Sequence, residues 1–217
     1  MDWFGELFKG VRFSFCGITS GKNEYNGEHR VNVSGLCSNL SFIVSTSVFS
    51  AYPGDNTPIR IFGKLGRKSG TTYAGLIVDD VVYNVDPKFQ NVSQEDITRG
   101  CVFTGYGLLT EKREYNREGV VYNSILLGVL GDIIKITNFA DGVFSSIPDV
   151  GKNDRLLVHV GGVCSNSLSY NARYNSHGGI CVPYLESLSV KGSLPIGSAM
   201  KFVPVGESTN STKKNAA

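Results

Sequence analysis

The chain has 217 residues, 41 % of them hydrophobic, and a formal net charge of only +2. That hydrophobic share is enough to build real cores, and so small a charge neither requires nor excludes a polyanionic partner. Glycine is abundant at 26 residues, and valine, serine and aromatic residues are common while helical patterns are few. This composition predicts an all-β protein with many turns, built as one large or two small domains.

The cysteines predict neither a metal site nor a disulfide framework, because their number is odd and no CxxC spacing occurs. They are Cys16, Cys37, Cys101, Cys164 and Cys181. We expect a reducing compartment, and hence a cytoplasmic protein (host cytoplasm or nucleoid for a viral one) without metal or cofactor. Residues 1–8 are not expected to form a secretory signal. A membrane span is not predicted either, because the sequence has no run of about 18 apolar residues.

In chain order, the first half is predicted to hold a short helix and five strands. Trp3, Phe4, Leu7 and Phe8 fit one helix face, which we expect to pack on the first domain. Apolar alternation predicts strands at residues 11–19, 29–36, 40–49, 59–65 and 71–83. Turn-forming residues predict hairpins or turns at 20–28, 52–56 and 66–70.

A polar stretch at residues 87–98 is predicted to be a linker, after which the order of elements repeats. Strands are predicted at 101–109, 120–130, 132–139, 155–163 and 180–190, with hairpins at 110–119 and 164–179 and a turn-rich connection at 140–154. Residues 206–217 are predicted to form a polar tail. The predicted domains therefore span residues 1–86 and 99–205.

A seven-residue segment recurs ninety residues later, which indicates a tandem duplication. Residues 22–28 (KNEYNGE) and 112–118 (KREYNRE) share Lys, Glu, Tyr, Asn and Glu at equal positions. The same offset pairs Phe13 with Phe103, Gly17 with Gly107, Val31 with Val121, and Leu36 with Leu126. Beyond a longer insertion, residues 61–63 are paired with 159–161 and residues 77–81 with 184–188. The alternative is two unrelated surface hairpins of similar polar composition.

Two segments resemble the single-stranded DNA-binding (SSB) proteins. Residues 59–81 (IRIFGKLGRKSGTTYAGLIVDDV) resemble their fourth and fifth strands, and residues 105–129 (GYGLLTEKREYNREGVVYNSILLGV) their first hairpin. The resemblance implies two tandem five-stranded Greek-key barrels of the oligonucleotide/oligosaccharide-binding (OB) kind, with a short linker and a polar C-terminal tail. Two barrels in one chain differ from the bacterial arrangement and fit a phage, viral or plasmid source. The tail carries Lys213 and Lys214 but only one acid, Glu207, so the partner recruitment of bacterial SSB tails is not implied.

Sequence-tolerant binding of single strands needs cations along the phosphates and flat side chains for the bases. Both residue types occur where an OB barrel meets its ligand. In the first half the candidates are Lys22, Tyr25, Arg60, Phe62, Lys64, Arg67, Lys68 and Tyr73. In the second half they are Lys112, Arg113, Tyr115, Arg117, Tyr170, Arg173 and Tyr174, with Tyr106, Tyr122 and His177 beside them. The alternative is that exposed tips are polar for solubility and that strand aromatics belong to the core. Four glutamates in the repeated hairpins also dilute the positive field.

We therefore predict a non-enzymatic protein that binds single-stranded DNA, or RNA as the less favoured strand, and protects or presents it in replication or recombination. Self-association is open, and no membrane partner is expected. The alternative function is structural: a virion or tail component, or a protein-interaction module. Gly179 and Cys181 resemble the glycine-flanked nucleophile of viral cysteine proteases, but Val182 follows the cysteine, so catalysis is not expected.

Overall fold

The computed structural model describes residues 2–35, 39–84, 100–152, 154–166, 181–195 and 203–204. Within these ranges the helices are α1 (Trp3–Lys9), α2 (Thr46–Ser50) and α3 (Val143–Ser146). The strands are β1 (Val11–Tyr25), β2 (Glu28–Ser34), β3 (Asn39–Ile43), β4 (Pro58–Arg67), β5 (Ala74–Tyr83), β6 (Cys101–Arg117), β7 (Val120–Val129), β8 (Asp132–Ile136), β9 (Asn138–Phe139), β10 (Asp154–Asn166), β11 (Cys181–Pro195) and β12 (Val203–Pro204). None of these helices is both long and apolar enough to cross a bilayer. The predicted linker and tail lie outside the described residues.

The first five strands close into a barrel. They follow the order β1-β2-β3-β5-β4, and β4 pairs back onto β1. The strand pairs are antiparallel except β3 with β5, and α2 lies between β3 and β4 in the chain. Alternating apolar residues such as Val31, Phe42 and Ile61 are fully buried inside the ring. This order is that of a five-stranded OB barrel.

The second set of strands repeats this topology. β6 pairs with β7 and β10, β7 pairs with β8, and β10 pairs with β11. The ring closes through β9, which pairs in parallel with β11 as β3 does with β5, and α3 precedes β10 as α2 precedes β4. The predicted all-β, OB-like fold is therefore confirmed. The division at residues 86, 99 and 205 stays a prediction.

Register shifts locate the repeat and correct part of its predicted alignment. Both first strands bulge at the same place, between Thr19 and Gly21 and, ninety residues later, between Leu109 and Glu111. After the turns the offset becomes ninety-four, because the second hairpin is four residues longer. Lys22 lies opposite Val31, whereas Lys112 lies opposite Ile125.

The pairing of Val31 with Val121 is therefore wrong: Val31 is fully buried and Val121 is 56 % exposed. Leu126 lies opposite Glu111, as Asn32 lies opposite Gly21, so Leu126 corresponds to Asn32; its predicted partner Leu36 lies outside the described residues.

Two glycines in the fourth strands mark the same position in each barrel. Gly63 lies opposite Phe13 and Gly162 lies opposite Phe103, and each sits at a bulge. The predicted match of residues 61–63 with 159–161 is therefore wrong by one residue, since Gly162 is the counterpart of Gly63. The predicted match of residues 77–81 with 184–188 agrees with the observed register.

The two barrels share one continuous sheet, because β1 and β6 pair antiparallel between them. Val11, Arg12, Phe13 and Ser14 lie opposite Gly105, Thr104, Phe103 and Val102. The pairing joins β4 and β1 of the first barrel to β6 and β10 of the second. One barrel is thereby fixed in orientation against the other.

Several predicted boundaries are corrected. The repeated hairpins are strands almost to their tips, with turns only at residues 26–27 and 118–119. The predicted strand 40–49 ends at Ile43, and α2 follows it, capped by the Ser45 side chain, which accepts a hydrogen bond from the Val48 N–H. The predicted N-terminal helix is confirmed, but Trp3 packs at 6.1 Å on Tyr106 of β6 rather than on the first barrel.

Candidate nucleic-acid interface

The tip of the β6–β7 hairpin presents a stacked pair of tyrosines to solvent. Tyr115 and Tyr122 face each other across the hairpin, with ring centroids 5.1 Å apart and planes inclined by 12°. The rings stay 48 % and 43 % exposed. Because side chains alternate along a strand, Arg113 and Arg117 lie on the same face of β6 as Tyr115. The face therefore combines flat rings with two cations.

Within the described residues, the two arginines at this tip pair with neighbouring acids. Arg113 contacts Glu111, and this contact raises the pKa of the arginine further. Arg117 Nε lies 3.6 Å from Glu118 Oε1, and both side chains are largely exposed. Exposed pairs of this kind contribute about 0–1 kcal/mol, so a phosphate could replace either carboxylate.

The repeated lysines, Lys22 and Lys112, point to the opposite face of their hairpins. Each contacts the helix of its own barrel. Lys22 Nζ donates to the Phe49 carbonyl at 3.0 Å and lies 4.6 Å from the Phe49 ring centroid. Lys112 Nζ donates to the Ile147 carbonyl at 2.6 Å and lies 5.0 Å from the Phe144 ring centroid. The Lys112 side chain is only 17 % exposed. The structure thus gives both predicted phosphate contacts an internal role, and their nucleic-acid role stays a prediction.

The turn between β4 and β5 reaches from the first barrel onto the second. The Lys135 N–H donates to the Thr72 carbonyl at 2.7 Å, and Tyr73 forms a parallel bridge with Lys135 of β8. The Arg67 N–H donates to Asp132 Oδ2 at 3.2 Å. Tyr73, 49 % exposed, therefore lies beside β8, and Lys135 sits across from Leu126 on the same sheet. Lys135 was missed by sequence reasoning, and no motif marks it.

On the corresponding face of the first barrel, a buried ion pair takes the place of the second tyrosine and contacts the β4–β5 turn. Arg30 and Glu28 form an ion pair with side chains 8 % and 10 % exposed, and the Ser69 N–H donates to Glu28 Oε1 at 3.0 Å. Lys68 Nζ lies 5.4 Å from the Tyr25 ring centroid. Burial, and secondarily the Arg30 charge, lower the pKa of Lys68. Tyr25 and Lys68, which were predicted as separate candidates, are thus brought together, and the Tyr25 ring stays 50 % exposed.

Arg60, Phe62 and Lys64 form a separate group on the outer side of β4. The Arg60 guanidinium lies 4.6 Å from the Phe62 ring centroid, and β4 pairs with β1 and β5 rather than with the β1–β2 hairpin tip. The Arg60 Nε is buried and has no hydrogen-bond partner among the residues whose placement is described. The structure does not join this group to the hairpin tyrosines.

Most of the remaining candidates lie outside the described residues, and Tyr106 packs against another side chain of the protein. Tyr170, Arg173, Tyr174 and His177 lie outside the described residues. Tyr106 packs edge-on against His159, with ring centroids 4.7 Å apart. Burial lowers the pKa of His159.

The cysteine considered as a protease nucleophile is one of three buried thiols in mutual contact. Cys101 and Cys164 lie directly opposite each other on β6 and β10, and Cys181 contacts Cys164. The Cys164 contact and burial raise the pKa of Cys181 well above its ordinary value. A protonated, buried thiol is a poor nucleophile, in agreement with the expectation that this cysteine is not catalytic.

Known proteins offer only distant comparisons. No protein-family model matches the chain, and no curated protein matches it. Similar solved structures include a deletion mutant of the single-stranded DNA binding protein from Thermus aquaticus, with 10 % identity, a TM-score of 0.49, and coverage of 91 % of this chain and 98 % of that one. Another is the Ifi202 HINa domain in complex with 20bp dsDNA, with 12 % identity, a TM-score of 0.23, and coverage of 83 % and 94 %. At these values the likeness assigns neither a family nor a function.

Proposed function

We propose that this protein binds single-stranded DNA, without catalysis, on the outer face of the β6–β7 hairpin. The observation that carries the proposal is the exposed Tyr115–Tyr122 stack with Arg113 and Arg117 on the same hairpin. Unpaired bases stack on such rings, while cations follow the phosphates. Duplex DNA offers no free base faces, which favours single strands as the ligand.

The neighbouring groups support a strand path away from the hairpin. Tyr73 and Lys135 lie on the adjoining sheet, and together they add one ring and one cation. The first barrel, whose hairpin has the buried Glu28–Arg30 pair in place of a second exposed ring, has the role of a scaffold in this proposal. The protein would protect or present the strand during replication or recombination.

The test is fluorescence anisotropy with a labelled 30-mer of mixed single-stranded DNA at low and moderate salt. Replacing Tyr115 and Tyr122 by Leu should weaken binding by about 1–3 kcal/mol per stacked base, because both rings are removed. The matched control is Tyr25→Leu, the counterpart of Tyr115 in the first barrel. Duplex DNA and RNA of the same length serve as competitors. Absence of binding at low salt would refute the proposal, and a loss confined to Tyr25→Leu would move the site to the first barrel.

An assembly role is the second candidate, and one observation favours it. From Val120 to Ser124, β7 pairs only with β6 in the part of the chain that is described, because its pairing with β8 begins at Ile125. Val120 and Val121 on this edge are more than half exposed. An unpaired, apolar edge can accept a strand from another chain. Concentration-dependent oligomers in light scattering, abolished by Val121→Lys, would support this role.

A further inference from the structure

The last long strand of the second barrel, β11, has one edge that is only partly paired. β10 occupies one side of β11 along its whole length. β9 pairs with residues 184–185 and β12 with residues 192–193, so both lie on the other side. Between these two pairings, residues 186–191 have no described strand on this side. The stretch is about 20 Å long, at roughly 3.3 Å per residue.

The pairing of β12 is particular to the second barrel. β5 is the counterpart of β11, and among the described strands it pairs only with β3 and β4. A sheet edge that stays exposed can pair with strands of other molecules, and proteins commonly cover such edges. The partial pairing of β11 therefore raises the question of what covers the rest of its edge.

The chain leaves β12 in the direction of this edge. β12 runs antiparallel to β11, with Pro204 opposite Gly192. Each further residue along the chain therefore moves towards the start of β11. In the same register, residues 205–210 would lie opposite residues 191–186 and fill the gap up to β9.

The sequence after β12 is compatible with an edge strand that keeps one face in water. Residues 205–210 (VGESTN) are mostly small or polar, and Ser187 and Ser189 on the β11 side are exposed. In the continued register Thr209 lies opposite Ser187. A hydrogen-bonded Thr–Ser pair across two strands is stabilising.

An exposed carboxylate lies at the far end of this edge. The Ala140 N–H donates to the Leu185 carbonyl at 2.9 Å, which fixes the next residue, Asp141, beside the end of the gap. Asp141 lines a half-open pocket of about 390 Å³ together with Tyr184. No lysine or arginine is among the described residues that line this pocket, so the Asp141 carboxylate favours a cation there.

Two lysines follow the proposed strand at a suitable distance. Lys213 and Lys214 come three and four positions after residue 210, a separation of at most about 10–14 Å in an extended chain. They are the only basic residues that the sequence has after β12. Either ammonium group can therefore reach Asp141 once residues 205–210 are paired.

We propose that residues 205–217 dock on the second barrel of their own chain, with residues 205–210 as a strand on the β11 edge and Lys213 or Lys214 paired with Asp141. The docked segment covers an edge that would otherwise accept strands of other molecules. This inference does not rest on nucleic-acid binding.

The first test is amide hydrogen exchange followed by NMR on the 217-residue chain. Residues 205–210 should exchange at least about tenfold more slowly than a free peptide of the same sequence, because alternate N–H groups are bonded to β11. Ser208→Pro combined with Thr209→Pro should abolish this protection. The two are replaced together because successive N–H groups point to opposite sides, so one of them faces β11 in either register.

The matched control for this double variant is Asn215→Pro combined with Ala216→Pro, which lies beyond both the strand and the lysines and should leave the protection unchanged. The second test concerns the ion pair. Asp141→Asn should lower the heteronuclear NOE of the backbone at residues 213–214, whereas Glu24→Gln, at an exposed acid of the first barrel, should not.

Three outcomes would overturn the proposal or part of it. Exchange of residues 205–210 at the rate of the free peptide would refute the docking. Protection that rises with protein concentration would also refute it, because the segment would then dock on a second copy of the chain. An unchanged heteronuclear NOE in Asp141→Asn would refute the pairing of Asp141 with the lysines.

Discussion

Phe13 and Phe103 lie directly opposite each other where β1 and β6 pair, and each is the other's counterpart at the offset of ninety. A residue can face its own counterpart only where a two-fold axis passes between the two. The neighbouring pairs agree, since Ser14 faces Val102 while its counterpart Thr104 faces Arg12. The internal repeat is therefore visible in the register of β1 against β6 as well as in the sequence, while its origin in a tandem duplication stays a prediction.

The glycines beside these rings should not tolerate a side chain. A Cβ at Gly63 would lie 2.1 Å from the Ile77 carbonyl oxygen, and one at Gly162 would lie 2.1 Å from that of Tyr184. Backbone atoms cannot yield easily, so Gly63→Ala and Gly162→Ala should each lower the free energy of unfolding by roughly 1–3 kcal/mol. Urea denaturation measures this. Gly128→Ala, where the nearest atom would be 3.5 Å away, is the control and should cost less.

The repeated lysines should matter for stability rather than for the salt dependence of binding. Lys112→Met should lower the free energy of unfolding by about 1–2 kcal/mol, because the Ile147 carbonyl loses its donor and Phe144 loses the cation. Arg113→Gln and Arg117→Gln should leave stability nearly unchanged and each reduce the slope of log K against log salt by about one. A reduced slope of log K against log salt for Lys112→Met would contradict this prediction, because it would indicate that Lys112 contacts a phosphate.

The stability of the first barrel should depend on the Glu28 charge. Glu28→Gln removes the carboxylate that pairs with the buried Arg30 guanidinium, so the free energy of unfolding should fall by roughly 3 kcal/mol. The matched control is Glu118→Gln, whose exposed pairing with Arg117 contributes at most about 1 kcal/mol. Equal effects of the two substitutions in urea denaturation would contradict the buried pair.

The buried thiols predict a loss of stability in alkali. Burial raises the folded-state pKa of Cys101, and burial with mutual contacts raises those of Cys164 and Cys181 well above their ordinary value of 9.0. The unfolded chain therefore loses these protons first, so the stabilisation is full below about pH 9 and is lost as the pH rises through the folded values. The free energy of unfolding of wild type minus that of Cys164→Ala should shrink above pH 9. A constant difference from pH 7 to 10.5 would contradict this.

Sequence periodicity was sufficient for most of the strands and for the alignment of the repeat up to the hairpin tips. It failed where an insertion shifts the register: Val121 matches Val31 in type, but two added residue pairs place it on an exposed tip. It also missed α2, because Val48 and Phe49 continue an apolar run whose helical start is marked only by the Ser45 cap.

Contacts between the two barrels could not be predicted from the sequence of either half alone. Tyr73 was predicted to serve the first barrel, but the docking of β1 on β6 carries its turn to Lys135 of the second.

The β1–β6 pairing joins two copies of one barrel within a single chain. Two separate barrels held by such a short strand pairing would dissociate on dilution, whereas a covalent connection keeps the local concentration of each for the other high at any dilution. Because the two barrels have separate sequences, a substitution that alters the face of one barrel leaves the corresponding face of the other unchanged.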